Sequence, residues 1–298
     1  MKAKYIPVLL LSSLCWTNSF AQQIFRLSQY TQNIVVYNPA AAGVVNTGSA
    51  GLIYKKMWSG IEGGPQTTVF VGEKAFSSKN VGAGLVLYND VTGPTSRSGA
   101  EASLSYSINW DNNQKLSFGL SGVMLQERID KSAIEKDIPG DPLLNASGST
   151  ISGDAGAGIF YSSSKWNVGF SAKQLIQSKL DFIKTSTELE GRLYRQYYFM
   201  GSYNWKTDED NVIVPNFLLK LNSNAPADFE LGARLIHKNL FWVGFNYHKD
   251  QDYSAFAGLN FGKKYSIGYA FDQYKTPLSV FDNGGDAHEL SLRYCFGK

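Results

Sequence analysis

Three histidines, His237, His248 and His288, are the side chains here best suited to proton transfer near neutral pH. A hydrolase would need one of them beside a serine, cysteine or carboxylate, and no spacing along the chain assigns such a partner. All three fall near the ends of extended segments, where a loop-edge imidazole is the plainer interpretation. Asp282-Asn283-Gly284-Gly285-Asp286 offers oxygen ligands on a flexible turn, as calcium sites do. It lacks the later glutamate of a calcium loop, so an ordinary tight turn is expected. There is no His-Glu-x-x-His, no Cys-x-x-Cys, no Gly-x-Ser-x-Gly and no glycine-rich phosphate loop; Gly82-Ala83-Gly84 lacks a third glycine and sits inside an extended segment. The residues therefore predict no catalytic site, no cofactor and no metal, and the chain is expected not to be an enzyme.

Lys2 and Lys4, the apolar run from Tyr5 to Leu11 and the small-x-small site Ser19-Phe20-Ala21 predict a secretory signal peptide over residues 1–21, with Gln22 first in the mature chain. Cys15 would suggest a lipoprotein signal instead, but Leu14 stands where a small residue is wanted. Cleavage removes two lysines and no acid, so 28 basic residues fall to 26 against 25 acidic ones. A near-neutral chain without a basic cluster argues against nucleic acid as a partner. Cys295 is then the only cysteine, which excludes an intramolecular disulfide.

The elements that must position any function are strands. In Asp286–Phe296, Leu290, Leu292, Tyr294 and Phe296 share one face while Glu289, Ser291, Arg293 and Cys295 share the other, because side chains of an extended chain alternate. Ala100, Ala102, Leu104, Tyr106, Ile108 and Trp110 repeat this against Glu101, Ser103, Ser105, Ser107 and Asn109. Fourteen such segments can be counted between Gly48 and Phe296. Links after even-numbered segments are short and polar, and several after odd-numbered ones are long: 127–151, 176–192 and 273–286. This sorting, with strands long enough to cross a bilayer at about 9–11 residues each, predicts a closed antiparallel transmembrane β-barrel of about fourteen strands over residues 48–298. A soluble β-sandwich pair or propeller is the alternative. Lipid cannot satisfy an open strand edge, so the first and last strands must pair.

Residues 22–47 do not alternate. Within them Asn38 is a capping residue, Pro39 suits a first helical position, Ala40–Ala42 favour helix and Gly43 terminates it, so a single helical turn or tight corner is expected in a segment packed inside or beneath the sheet, as a plug or periplasmic element. Lone glycines at 82, 84, 119, 156, 158, 244, 258 and 268 suit places where strands bend or inner groups come close. Trp58, Trp110, Trp166, Trp205 and Trp242 lie near segment ends, suited either to an interfacial girdle or to core packing.

Ser28-Gln29-Tyr30, then Tyr37-Asn38-Pro39-Ala40-Ala41-Ala42-Gly43, then Tyr54-Lys-Lys-Met-Trp58-Ser-Gly60-Ile-Glu-Gly-Gly64-Pro65-Gln-Thr67 resemble the opening of the PorP/SprF family of type IX secretion system membrane proteins. Gly82-Ala-Gly84-Leu85, Asp90-Val-Thr-Gly93-Pro94, Leu116-Ser-Phe-Gly119-Leu120, Asp141-Pro142, Tyr269-Ala-Phe-Asp272 and His288-Glu289-Leu290 extend the likeness, in order, over nearly the whole mature chain. The chain departs from the family's pattern in having Ile34 after Asn33 where a second Asn-Pro pair is usual, Ala41 where Tyr is common, and an end at Phe296-Gly-Lys298. The resemblance implies an outer-membrane barrel in contact with lipid that works with the secretion and gliding machinery. Its implied partners are periplasmic ring proteins and exported adhesin-type proteins with C-terminal sorting domains. It also implies that Gln29, Tyr30, Asn38, Pro39, Gly43, Trp58, Gly60 and Pro65 are structural or docking residues that fix the plug and the first hairpin. A passive or ligand-specific diffusion channel is the alternative function.

Overall fold

Rows of side chains that alternate oily and polar have only two places to put the oily face, and this chain puts it outside. The computed structural model describes residues 25–296 apart from 112, 138–139, 141–147, 181–191, 224, 250–251, 263 and 275–285. The expected signal peptide and most of Asp282–Asp286 fall outside the described residues. Fourteen staves follow in sequence: β1 (Gly48–Met57), β2 (Gln66–Phe76), β3 (Val81–Thr92), β4 (Thr95–Trp110), β5 (Gln114–Ile129), β6 (Ser149–Ser162) and β7 (Trp166–Lys173) make the first half. The second half is β8 (Gln196–Tyr203, continued by Trp205–Lys206 beyond Asn204), β9 (Asn211–Asn222), β10 (Ala225–His237), β11 (Phe241–His248), β12 (Asp252–Phe261), β13 (Tyr265–Tyr274) and β14 (Asp286–Cys295).

Every stave pairs antiparallel with its sequence neighbour, and β1 pairs with β14 from Ser49 opposite Cys295 to Met57 opposite Ala287. The Phe296 N–H donates to the Gly48 carbonyl at 2.9 Å and completes the seam. The barrel is thus closed, and no strand edge is left for lipid to meet.

Leu104 and Leu120 are 63% and 69% exposed on the outer face, while Ser103, Ser105 and Ser121 beside them are buried within. An aqueous protein would reverse this, so the exposed band is a surface made for hydrocarbon. No helix among the described residues is long and apolar enough to cross a membrane, which does not bear on strands.

All the long links, 58–65, 130–148, 174–195 and 275–285, leave one end of the barrel, but so do the two-residue turn Gly93-Pro94 and the short links after β9 and β11. β4 begins at Thr95, ahead of the alternating stretch from Ala100, because Gly93 takes φ +52° and folds β3 directly onto it. The long link after β5 contains the short helix α1 (Lys131–Asp137). Asp130 starts it by accepting from the Ser132 N–H at 3.0 Å.

The interior is occupied. Residues 25–47 run down the lumen from the long-loop end to the short-turn end and then pass into β1. Their tight corner is a 3-10 turn at Pro39–Ala41, preceded by others at Tyr30–Gln32 and Ile34–Val36. Leu27, Tyr30, Val35, Val36, Tyr37 and Ala40–Ala42 form the main apolar core with Ile53, Val69, Val71, Val86, Phe160, Tyr198, Met200 and Leu218 of the wall. Burial of each large apolar side chain stabilises by about 1.5–3 kcal/mol, so the segment is held as a folded core is held.

Candidate functional site

Two kinds of contact hold the lumenal segment, polar or ionic pairing and close steric fit. Toward the long-loop end the contacts are ionic. Arg26 forms an ion pair with Asp252, its Nη1 donating at 3.0 Å, and lies 3.6 Å from Asp272. Lys55 of β1 donates to Asp272 at 2.6 Å and to Ser28 Oγ at 2.7 Å. The Ser28 and Gln29 N–H groups donate to the two oxygens of Glu289 at 2.6 and 3.1 Å. Asn246 donates to the Ser28 carbonyl at 3.0 Å and to Glu230 at 2.5 Å. Asp252 and Asp272 together balance the charge of the buried Arg26 guanidinium. Charges this deeply buried persist only with partners, and here β1, β12, β13 and β14 each supply one.

Toward the short-turn end close steric fit joins the hydrogen bonds. Asn38 Oδ1 accepts from the Ala40 N–H at 2.9 Å and caps the turn, while its Nδ2 donates to the Ile159 and Phe170 carbonyls at 3.1 and 3.3 Å. A methyl carbon added at Gly158 would stand 2.1 Å from Asn38 Oδ1, at Gly119 2.3 Å from the Ala40 nitrogen and at Gly82 1.9 Å from the Ala42 oxygen. Gly84 and Gly268 make the same room for Val35 and Gln29. Five of the glycines singled out in the sequence are thus a cradle for the segment, whereas Gly156, Gly244 and Gly258 face wall side chains. Ser171 donates to the Tyr37 carbonyl and Ser105 to the Ala42 carbonyl, both at 2.7 Å; at the opposite, long-loop end of β7, Lys173 donates to the Val36 carbonyl at 2.7 Å and to Glu101 at 2.6 Å. Gly43 leaves the turn at φ +67°, its N–H donating to Glu73 at 3.3 Å. A side chain at that position would be strained by the backbone and would press on the Lys74 carbonyl.

The candidate residues divide between two places. Gln29, Tyr30, Asn38, Pro39 and Gly43 lie buried in the lumen, where Tyr30 donates to Asn216 at 2.8 Å. Trp58, Gly60 and Pro65 lie in the 58–65 loop at the far end of β1. There Met57 donates to the Pro65 carbonyl at 2.8 Å, and Trp58, at φ +51°, donates to the Asp286 carbonyl at 2.7 Å. Gly60 is exposed. Arg26, Lys55, Glu73, Glu101, Lys173, Asp252, Asp272 and Glu289 were not singled out as candidates. For all but Arg26, which lies in the non-alternating segment, the signal was charge at inward positions of the alternation, but nothing along the chain pairs them.

His248 departs from the loop-edge interpretation. It is buried in the lumen, in ion-pair contact with Asp228 and 3.8 Å from Asp252, carboxylates on neighbouring staves that linear spacing does not reveal. His237 contacts Asn211 Oδ1 at 2.8 Å at a stave end. His288 Nε2 lies 3.5 Å from Asp286, which also accepts from Ser59 Oγ. That grouping sets the carboxylate between hydroxyl and imidazole, whereas a serine nucleophile needs the imidazole in the middle. Among the described residues no cluster of His, Cys, Asp or Glu could hold a metal.

For this closed barrel with residues 25–47 in its lumen, similarity to known proteins decides the family. The model of "Type IX secretion system membrane protein PorP/SprF" matches residues 19–294. The chain belongs to the PorP/SprF family. It is a membrane barrel of that secretion system and not an enzyme. No curated protein matches it. Among solved structures, a Pseudomonas aeruginosa FadL homologue is similar with a TM-score of 0.52 at 14% identity, covering 87% of this chain and 93% of that one. The Ralstonia pickettii toluene transporter TbuX gives 0.51 at 10%, covering 87% and 92%. The CymD monoaromatic hydrocarbon channel gives 0.50 at 9%, covering 93% and 95%. At such identities the likeness is one of fold, that of outer-membrane barrels, and this PorP/SprF chain shares it.

Proposed function

We propose that this protein is an outer-membrane part of the type IX secretion and gliding machinery that assists the export or surface anchoring of large adhesin-type proteins and is linked to periplasmic ring components. On this proposal residues 1–21 are a cleaved signal peptide, 22–47 the plug and 48–298 the barrel. The observation that carries it is the filled lumen: Leu27, Asn38 and Ala40–Ala42 are wholly buried inside the barrel, so the wall serves as a scaffold around a fixed segment instead of an open conduit. The long loops, with Trp58, Gly60 and Pro65 shaping the first, would meet exported protein. The short turns and the polar mouth beside Gly43, lined by Asn80, Ser107, Asn109 and Lys115, would meet the periplasmic ring.

The test is a crosslinking pull-down from intact outer membranes, combined with solute flux through liposomes carrying the purified barrel. Secretion or gliding components are expected among the crosslinked proteins, with flux at the background level. Recovery of none, together with measurable flux, would favour a diffusion channel.

A further inference from the structure

At five of the six short turns an exposed lysine stands within three residues of an exposed aromatic or leucine: Phe76 with Lys79, Trp166 with Lys165, Trp205 with Lys206, Leu240 with Lys238, and Phe261 and Tyr265 with Lys264. The apolar member is 44–59% exposed in every pair. The sixth turn keeps the aromatic, Trp110, but carries Asp111, and its Lys115 lines the mouth of the lumen instead. Lys79, Lys165, Lys206 and Lys264 form no ion pair among the described residues, and only Lys238 is paired, with Asp210 at 3.3 Å. Three of the four acids on this rim crowd into one turn, where Asp208 is already satisfied by the N–H groups of Asp210 and Asn211 at 2.8 Å.

We propose that this rim binds the anionic headgroups of phospholipids in the leaflet that the short turns face. The aromatics end the hydrocarbon-facing band and mark the level of the interface. A lysine beside such a ring lays its four-carbon stem along the apolar surface and lifts its ammonium to the phosphate level. Each ammonium there gains from negative lipid charge, and the gain is screened by salt. At the outer circumference the arrangement fits a lipid annulus, while the polar mouth inside it is left for a docked protein. The lysines are spread around the circumference and share their positions with the lipid-facing belt, whereas a protein on the end face would be met by one contiguous patch. This inference needs only that the barrel spans a bilayer, so it stands or falls apart from the secretion partners proposed above.

The tryptophans report on it directly, since Trp166 and Trp205 adjoin two of the lysines. The full chain is reconstituted with brominated phosphatidylglycerol or brominated phosphatidylcholine, and quenching of tryptophan fluorescence gives the relative affinity of the two lipids. A preference for phosphatidylglycerol of roughly fivefold at low salt is expected, about what one well-placed lysine contributes. It should fall toward one in 0.5 M salt, and in a variant with Lys79, Lys165, Lys206, Lys238 and Lys264 each changed to Gln. Five Lys→Arg changes should keep it. Heat-modifiable mobility on a gel confirms that each variant is a closed barrel. Equal quenching by the two lipids, or a preference that survives the Lys→Gln changes, overturns the assignment. Retention of a labelled polyglutamate without any lipid preference would assign the rim to an acidic protein instead.

Discussion

A side chain at Gly82 has nowhere to go, because its first carbon would stand 1.9 Å from the Ala42 oxygen and the alternative is to move the plug. Gly82→Val should lower barrel stability by about 1–3 kcal/mol and loosen residues 39–43, seen as faster amide exchange there. Gly122→Ala, with nothing within 4 Å, should change neither. The ionic end makes a different prediction. Lys55→Met leaves Asp272 and Glu289 buried with less compensation and should cost about 3–5 kcal/mol in urea unfolding of the refolded barrel. Adding Asp272→Leu should restore part of the loss, because a missing pair costs less than half of one. If the double variant is less stable than Lys55→Met, the charges are not a coupled pair.

Among the elements, the plug is the one whose removal distinguishes scaffold from channel. Deleting residues 24–45 should leave a folded barrel, since the staves pair with one another and the seam between β1 and β14 lies beyond the deletion. Single-channel conductance should rise from near zero to a stable open level. A wild-type protein that already conducts as well as the deletion would show that the segment does not seal the lumen. A milder change tests the turn alone. Asn38→Ala removes the cap on Pro39–Ala41 and two donors to the wall, and should weaken local protection by about 1–2 kcal/mol while leaving strand amides unaffected.

At the scale of the whole molecule the prediction concerns the solvent. In water an exposed Leu→Arg change is harmless, but Leu120, 69% exposed in the middle of β5, faces lipid on this account. Leu120→Arg should therefore destabilise the barrel by about 2–4 kcal/mol in bilayers, measured by the folded fraction at equilibrium in vesicles. Ser121→Ala, one residue on and inward, should cost under about 1 kcal/mol, because its hydroxyl has no partner to lose.

Alternation was enough to read the stave count, because a period of two is a local property of every extended segment, and link lengths with the intolerance of lipid for an open edge added closure. The helical turn at Asn38–Gly43 was legible for the same reason, as its cap, proline and glycine act within six residues of one another. The pairing of Arg26 with Asp252, of Lys55 with Asp272 and of Ser28 with Glu289 was not, nor was the burial of His248 between Asp228 and Asp252. These contacts span 226, 217 and 261 positions for the first three, and which inward groups meet depends on stave order and register around the closed wall. Sequence by itself determined that the chain would be oily outside and polar within; only the closed barrel, by curling that polar face around residues 25–47, decided which charges and glycines would hold that segment.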